Sequence, residues 1–115
     1  MFKSILTVSL AAALLASTVE SMAADRWQRG GNLQSAFVGQ WNMAPYTNKL
    51  ATAALWIESR PRIKDKTVYR RMLENLRPFA FELVQCVDQS AASEGFESDR
   101  SVADLASTCM ILKGW

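Results

Sequence analysis

Apolar positions recur along this chain at intervals of three and four, the spacing that places side chains on one face of an α-helix. From Asn32, NLQSAFVGQWNMAPY carries Leu33, Ala36, Phe37, Trp41 and Ala44 in that rhythm, with Asn32 as its cap and Pro45 interrupting it. A second run, YTNKLATAALWIESRP, opens at Thr47 or Asn48 and closes before Pro61. Leu50, Ala54 and Ile57 form its stripe. Ala51, Leu55 and Trp56 widen that stripe until most of the circumference is apolar, which predicts a buried central helix over 48–59.

The third run is the most regular: Tyr69, Met72, Leu76, Phe79, Leu83 and Cys86, broadened by Leu73, Ala80 and Val87. Pro78 lies inside it, where proline removes a hydrogen bond and disfavours helical geometry at Arg77. The stripe keeps phase across Pro78, so the pattern predicts either a kink or a break with Pro78 opening a fresh helix. A last helix is announced by Ser101 with Asp104 three residues on, a relative of the capping box. It continues through Val102, Leu105, Ala106, Cys109 and Leu112 and stops at Gly114. No strand pattern of comparable length accompanies these runs. The predicted class is therefore all-α: a small single-domain helical bundle of four to five short helices around one core.

The first residues set the compartment. MFKSILTVSLAAALLASTVESMAAD has a cationic start at Lys3, an apolar run from Ile5 to Val19 and the small-x-small tripeptide Ser21, Met22, Ala23. That layout predicts a cleavable signal peptide over 1–23, and Glu20 ends the apolar run short of the roughly 20 residues a spanning helix needs. The predicted location is the periplasm of a bacterial envelope, or the medium, with membrane contact only transient, through the leader. What remains, 24–115, is one small helical domain, and domains of that size often add covalent staples.

Export brings oxidising conditions, under which the two cysteines, Cys86 and Cys109, are read as a disulfide. If one helix ends near Ala92 and the next starts near Ser101, the two residues lie about 9 Å and about 12 Å from the connecting turn. An antiparallel pair brings them level, each on its helix's apolar stripe. A metal site wants four ligands with His or Cys partners, and a thioredoxin-like centre wants C-x-x-C; the chain has no histidine and neither pattern.

Charge is uneven although the formal total is only +2. Residues 60–77 hold Arg60, Arg62, Lys64, Lys66, Arg70, Arg71 and Arg77 against Asp65 and Glu74, and the chain from Glu82 onward is acidic. Arg70, Glu74 and Arg77 share a helix side and are expected to pair. The alternative is a docking patch in which RPRIKDK, Arg70 and Arg71 meet an acidic protein or anionic head groups. No nucleic-acid-binding signature accompanies the basic run. Of four tryptophans, Trp41 and Trp56 lie on apolar stripes and are expected in the core. Trp27, in ADRWQRGGN, and Trp115, the last residue, either anchor a partner or fold back over the core.

Without histidine, a phosphate-binding glycine loop, a nucleophile elbow or a haem motif, the chain is expected to be non-catalytic and to need no cofactor and no metal. The expected function is non-covalent binding of another envelope or secreted protein, as an inhibitor, immunity-type or accessory protein, not of nucleic acid. Trp27, Trp115, Arg60, Arg62, Arg70 and Arg71 are the candidate partner-binding residues. The alternative is a holdase chaperone or a carrier of apolar ligands.

Overall fold

The computed structural model describes residues 26–60 and 65–115, so the expected leader and Arg62 lie outside the described residues. A short 3-10 turn at Arg26–Gln28 is followed by five α-helices: α1 (Val38–Met43), α2 (Tyr46–Glu58), α3 (Lys66–Glu74), α4 (Leu76–Ala92) and α5 (Val102–Leu112). They share one core, and the all-α class expected from the periodicity is what the chain adopts.

The longest helix, α4, packs against all four others. It is the hub, in place of the 48–59 run expected there. That run, α2, is nevertheless heavily buried, through Leu50, Ala51, Thr52, Ala53, Ala54, Trp56 and Ile57, because α4, α5 and the 3-10 turn cover different parts of it. Between α2 and α4, the fully buried Trp41 stacks on Trp56 at 5.7 Å, and its indole Nε1 donates to Asp88 Oδ1 at 2.8 Å. The Lys49 ammonium reaches the same oxygen at 3.0 Å and lies 5.4 Å from the Trp41 ring centre. A core tryptophan thus satisfies its one donor on a carboxylate that is itself neutralised.

The third run is divided at Asn75 (φ −148°, ψ 84°), three residues before the proline. A continuous helix would aim the ring of Pro78 at the Glu74 carbonyl and leave that carbonyl without a donor. Ending α3 at Glu74 removes the conflict and sets Pro78 in the first turn of α4, where no amide is needed. The apolar face survives the break through Met72, Leu76, Ala80, Leu83, Val84 and Val87. Leu73, expected to broaden it, is 59% exposed, because α3 packs chiefly on α4 and buries only a narrow strip. Asp65 caps α3, accepting from the Thr67 and Val68 amides at 2.9 and 3.4 Å. Arg70, Glu74 and Arg77 make no ion pair with one another; among the described residues the pairs are Lys49–Asp88, Glu94–Arg100 and Glu82–Lys113.

Two helix starts differ from expectation. Asn32 does not cap α1, which begins six residues later, because its side chain is taken by Asn48: Asn48 Nδ2 donates to Asn32 Oδ1 at 2.7 Å. The Ser101 side chain makes no capping bond to α5. Instead Phe37 and Ser101 face each other in an isolated antiparallel bridge, in which the Val38 amide donates to the Arg100 carbonyl and the Val102 amide to the Ala36 carbonyl, both at 3.0 Å. Each helix start is satisfied by the other's approach strand. Phe37, held in this extended geometry, points outward instead of into the core.

Cys86 and Cys109 form the disulfide joining α4 to α5, with Cα atoms 6.0 Å apart, so an antiparallel pair does bring them level. α5 ends at Gly114, whose positive φ of 77° is readily adopted by glycine. The Gly114 amide donates to the Ile111 carbonyl at 3.0 Å and the Trp115 amide to the Met110 carbonyl at 2.9 Å, the double bond pattern of a Schellman turn. That reversal lays Trp115 back on α4, edge-on to Phe79 at 5.5 Å. Among the described residues no helix is long and apolar enough to cross a membrane, and the disulfide is compatible with an oxidising compartment.

Candidate functional site

The segment before α1 is pinned flat on α2 because Gly31 has no side chain. A Cβ there would lie 2.6 Å from the Thr52 backbone nitrogen and 2.7 Å from the Ala51 carbonyl carbon. Three bonds secure the contact: the Asn32 amide to Asn48 Oδ1 at 3.1 Å, Asn48 back to Asn32, and the Leu33 amide to the buried Thr52 Oγ1 at 3.3 Å. Trp27 and Arg29, just upstream, are thereby held beside the first turns of α2.

They complete a cleft of about 320 Å³ between this segment, α2 and α4, lined by Trp27, Arg29, Tyr46, Thr47, Leu50 and Arg77. Tyr46 and Leu50 are one turn apart on α2, as Arg77 and Phe81 are on α4. The Arg77 guanidinium lies 5.7 Å from the Trp27 ring centre, a cation–π distance. One turn along, Phe81 meets Tyr46 edge-on at 6.4 Å, and the two rings remain 44% and 47% exposed. The lining includes two guanidinium groups and no carboxylate. Neither Arg29 nor Arg77 has an ion-pair partner among the described residues.

Such a surface is chemically suited to a ligand that combines negative charge with flat apolar area. Guanidinium forks donate two parallel hydrogen bonds to a carboxylate, and rings of this kind pack against an aromatic or aliphatic side chain beside it. Both sulfurs are consumed in the disulfide, and no group of three or more acidic, cysteine or histidine side chains among the described residues is placed to hold a metal ion. A second depression, lined by Asn32, Leu33, Ser35, Ala36 and Gln40, carries no charge, and the Gln40 carbonyl is occupied by the Phe37 amide at 2.8 Å.

Of the residues singled out in the sequence, Trp27 lies in the cleft. Trp115 does not: it is only 8% exposed and covers the core, with the Lys113 ammonium 5.3 Å from its ring centre. Arg60 is half-buried just after α2, while Arg70 and Arg71 are exposed on α3, away from the cleft lining. The basic groups that meet Trp27 are instead Arg29 and Arg77. Their signals were present as Arg29 beside Trp27 in RWQR and as the four-residue step from Arg77 to Phe81, but the facing residues on α2 follow only from how the helices pack. Comparison with protein-family models, curated proteins and solved structures gave no match to this chain.

Proposed function

We propose that this chain is an exported, non-catalytic protein-binding module whose cleft receives an acidic segment of another envelope or secreted protein, with an apolar side chain next to the carboxylate. The observation that carries this reading is the Trp27–Arg77 pairing beside Tyr46 and Phe81: a half-buried indole packed on the core, two half-exposed rings, and a guanidinium with no ion-pair partner among the described residues, together on a surface fixed by two helices. Trp, Tyr and Arg are the side chains that most often dominate binding energy at protein interfaces. Covalent closure of α4 on α5 and the Gly31 contact support it by reducing the ordering that binding must impose.

Photo-crosslinking tests it. A photoreactive residue replacing Tyr46, in protein exported by living cells, should capture one foreign protein in stoichiometric amount, and Arg77→Glu should abolish the product. A product equally strong from a probe at Arg70, or insensitive to Arg77→Glu, refutes the cleft as the docking site.

The exposed Leu73, Ile111 and Leu112 favour a second reading, a holdase that shields unfolded chains. On that reading the protein suppresses aggregation of a reduced model client, and Arg77→Glu leaves the suppression unchanged.

A further inference from the structure

The loop between α4 and α5 has the chemistry the cleft lacks. SEGFESDR, residues 93–100, places Phe96, 77% exposed, between Glu94 and Glu97, with Asp99 following. The loop is built, not loose: Glu94 pairs with Arg100 at 2.6 Å, the Arg100 amide donates to Ser98 Oγ at 3.2 Å, and the Arg100 carbonyl is held by the Val38 amide. With Glu94 engaged, Glu97 and Asp99 remain exposed and form no ion pair among the described residues. A presented phenylalanine followed by two carboxylates matches a cleft of rings with two guanidinium groups, none of these charges having an ion-pair partner among the described residues.

We infer that the loop 93–100 of one copy docks in the Trp27–Arg77 cleft of a second copy, so that the protein associates with itself head to tail. The loop cannot reach the cleft of its own molecule. Arg77 and the end of α4 at Ala92 stand about 22 Å apart along a rigid helix, at about 1.5 Å per residue. Cleft and loop are different surfaces, so the contact is heterologous: it propagates into chains, or closes only if the rotation permits a ring. Each docked loop also covers the surface proposed to receive the foreign partner, which makes self-association a competitor of partner capture. The inference rests on the cleft being a docking site for acidic, aromatic segments, and not on the identity of the foreign protein.

Mixing two complementary variants tests it without any other protein. In sedimentation velocity at low salt, the wild-type chain should grow in mass with concentration, through dimers to larger species. At about 0.5 M salt, where the screening length falls to about 4 Å, the association should weaken. Arg77→Glu keeps the loop and spoils the cleft; the double variant Glu97→Ser/Asp99→Ser keeps the cleft and spoils the loop without offering the reversed cleft a counter-charge. Each alone should associate at least about tenfold more weakly than wild type. An equimolar mixture should form one-to-one dimers that grow no further, since a single intact cleft then meets a single intact loop. Arg29→Glu with Phe96→Ala is a second pair, for use if a melting curve shows either first variant unfolded. A wild-type chain that stays monomeric at millimolar concentration, or a mixture no larger than its separate components, overturns the inference. Capture of a foreign protein from position 46 is a separate readout and stands or falls independently.

Discussion

Reduction of the Cys86–Cys109 bond should destabilise this domain substantially. The sulfurs join positions 23 apart, which closes a loop containing the second half of α4, the acidic connector and most of α5. In the chain-entropy treatment, closing a loop of about 24 residues in the unfolded state stabilises the fold by about 3.4 kcal/mol at 25 °C. Domains of this size have a total of roughly 5–13 kcal/mol, at about 0.05–0.15 kcal/mol per residue. One bond therefore supplies a quarter or more of the margin. At roughly 4–8 °C per kcal/mol for so small a domain, reduction should lower Tm by about 14 °C or more. The assay is thermal unfolding followed by far-ultraviolet circular dichroism with and without reductant, with alkylation and mass spectrometry to verify the thiol state. The Cys86→Ala/Cys109→Ala variant serves as a reductant-free control. An unchanged Tm after verified reduction refutes the reasoning. So does folded, soluble protein isolated without reductant in which both thiols can be alkylated.

Two further perturbations probe the polar core and the seat of the cleft. Asp88→Ala strips the acceptor from the buried Trp41 indole and the partner from Lys49, whose side chain is 13% exposed. It should cost about 2–3 kcal/mol in urea unfolding, with Asp88→Asn recovering part because its amide oxygen still accepts the indole proton, and a loss under about 0.5 kcal/mol contradicts the assigned network. Gly31→Ala forces a methyl group into the Thr52 backbone and should cost about 1–3 kcal/mol, while lifting Trp27 away from α2. Faster tryptic cleavage after Arg29 and a red-shifted tryptophan emission report that displacement, and wild-type values in both measurements argue against the pinning role of Gly31.

The helices were legible wherever a local pattern decides the matter. The stripes of α2, α4 and α5 follow from spacing alone, the disulfide from two cysteines on facing stripes, and the stop of the last helix from Gly114. Local pattern misled where a side chain had a better distant use. Asn32 has the chemistry of a helix cap, but Asn48 lies sixteen residues away and binds it from both sides. Ser101 opens a helix whose first amide is claimed by the Ala36 carbonyl, and nothing in the sequence near either residue announces the other. The helix break was displaced from Pro78 to Asn75 because the obstacle acts one turn upstream, on the carbonyl of Glu74. At the candidate site, the residue types were readable but their grouping was not. Trp27 stood out, while the choice of Arg77 over Arg70 or Arg71 depends on which face of α4 meets the N-terminal turns of α2.

The reciprocal pair of amide bonds between Phe37 and Ser101 ties the order of assembly to the order of synthesis. A ribosome releases the N-terminal part first, yet the Val38 amide has no acceptor until Arg100 has emerged, and the Ala36 carbonyl waits just as long for Val102. The first α-helix among the described residues is consequently expected to be among the last to settle. A chain cut before the acidic connector leaves both groups to water and is expected to show less helix per residue by circular dichroism than the full chain.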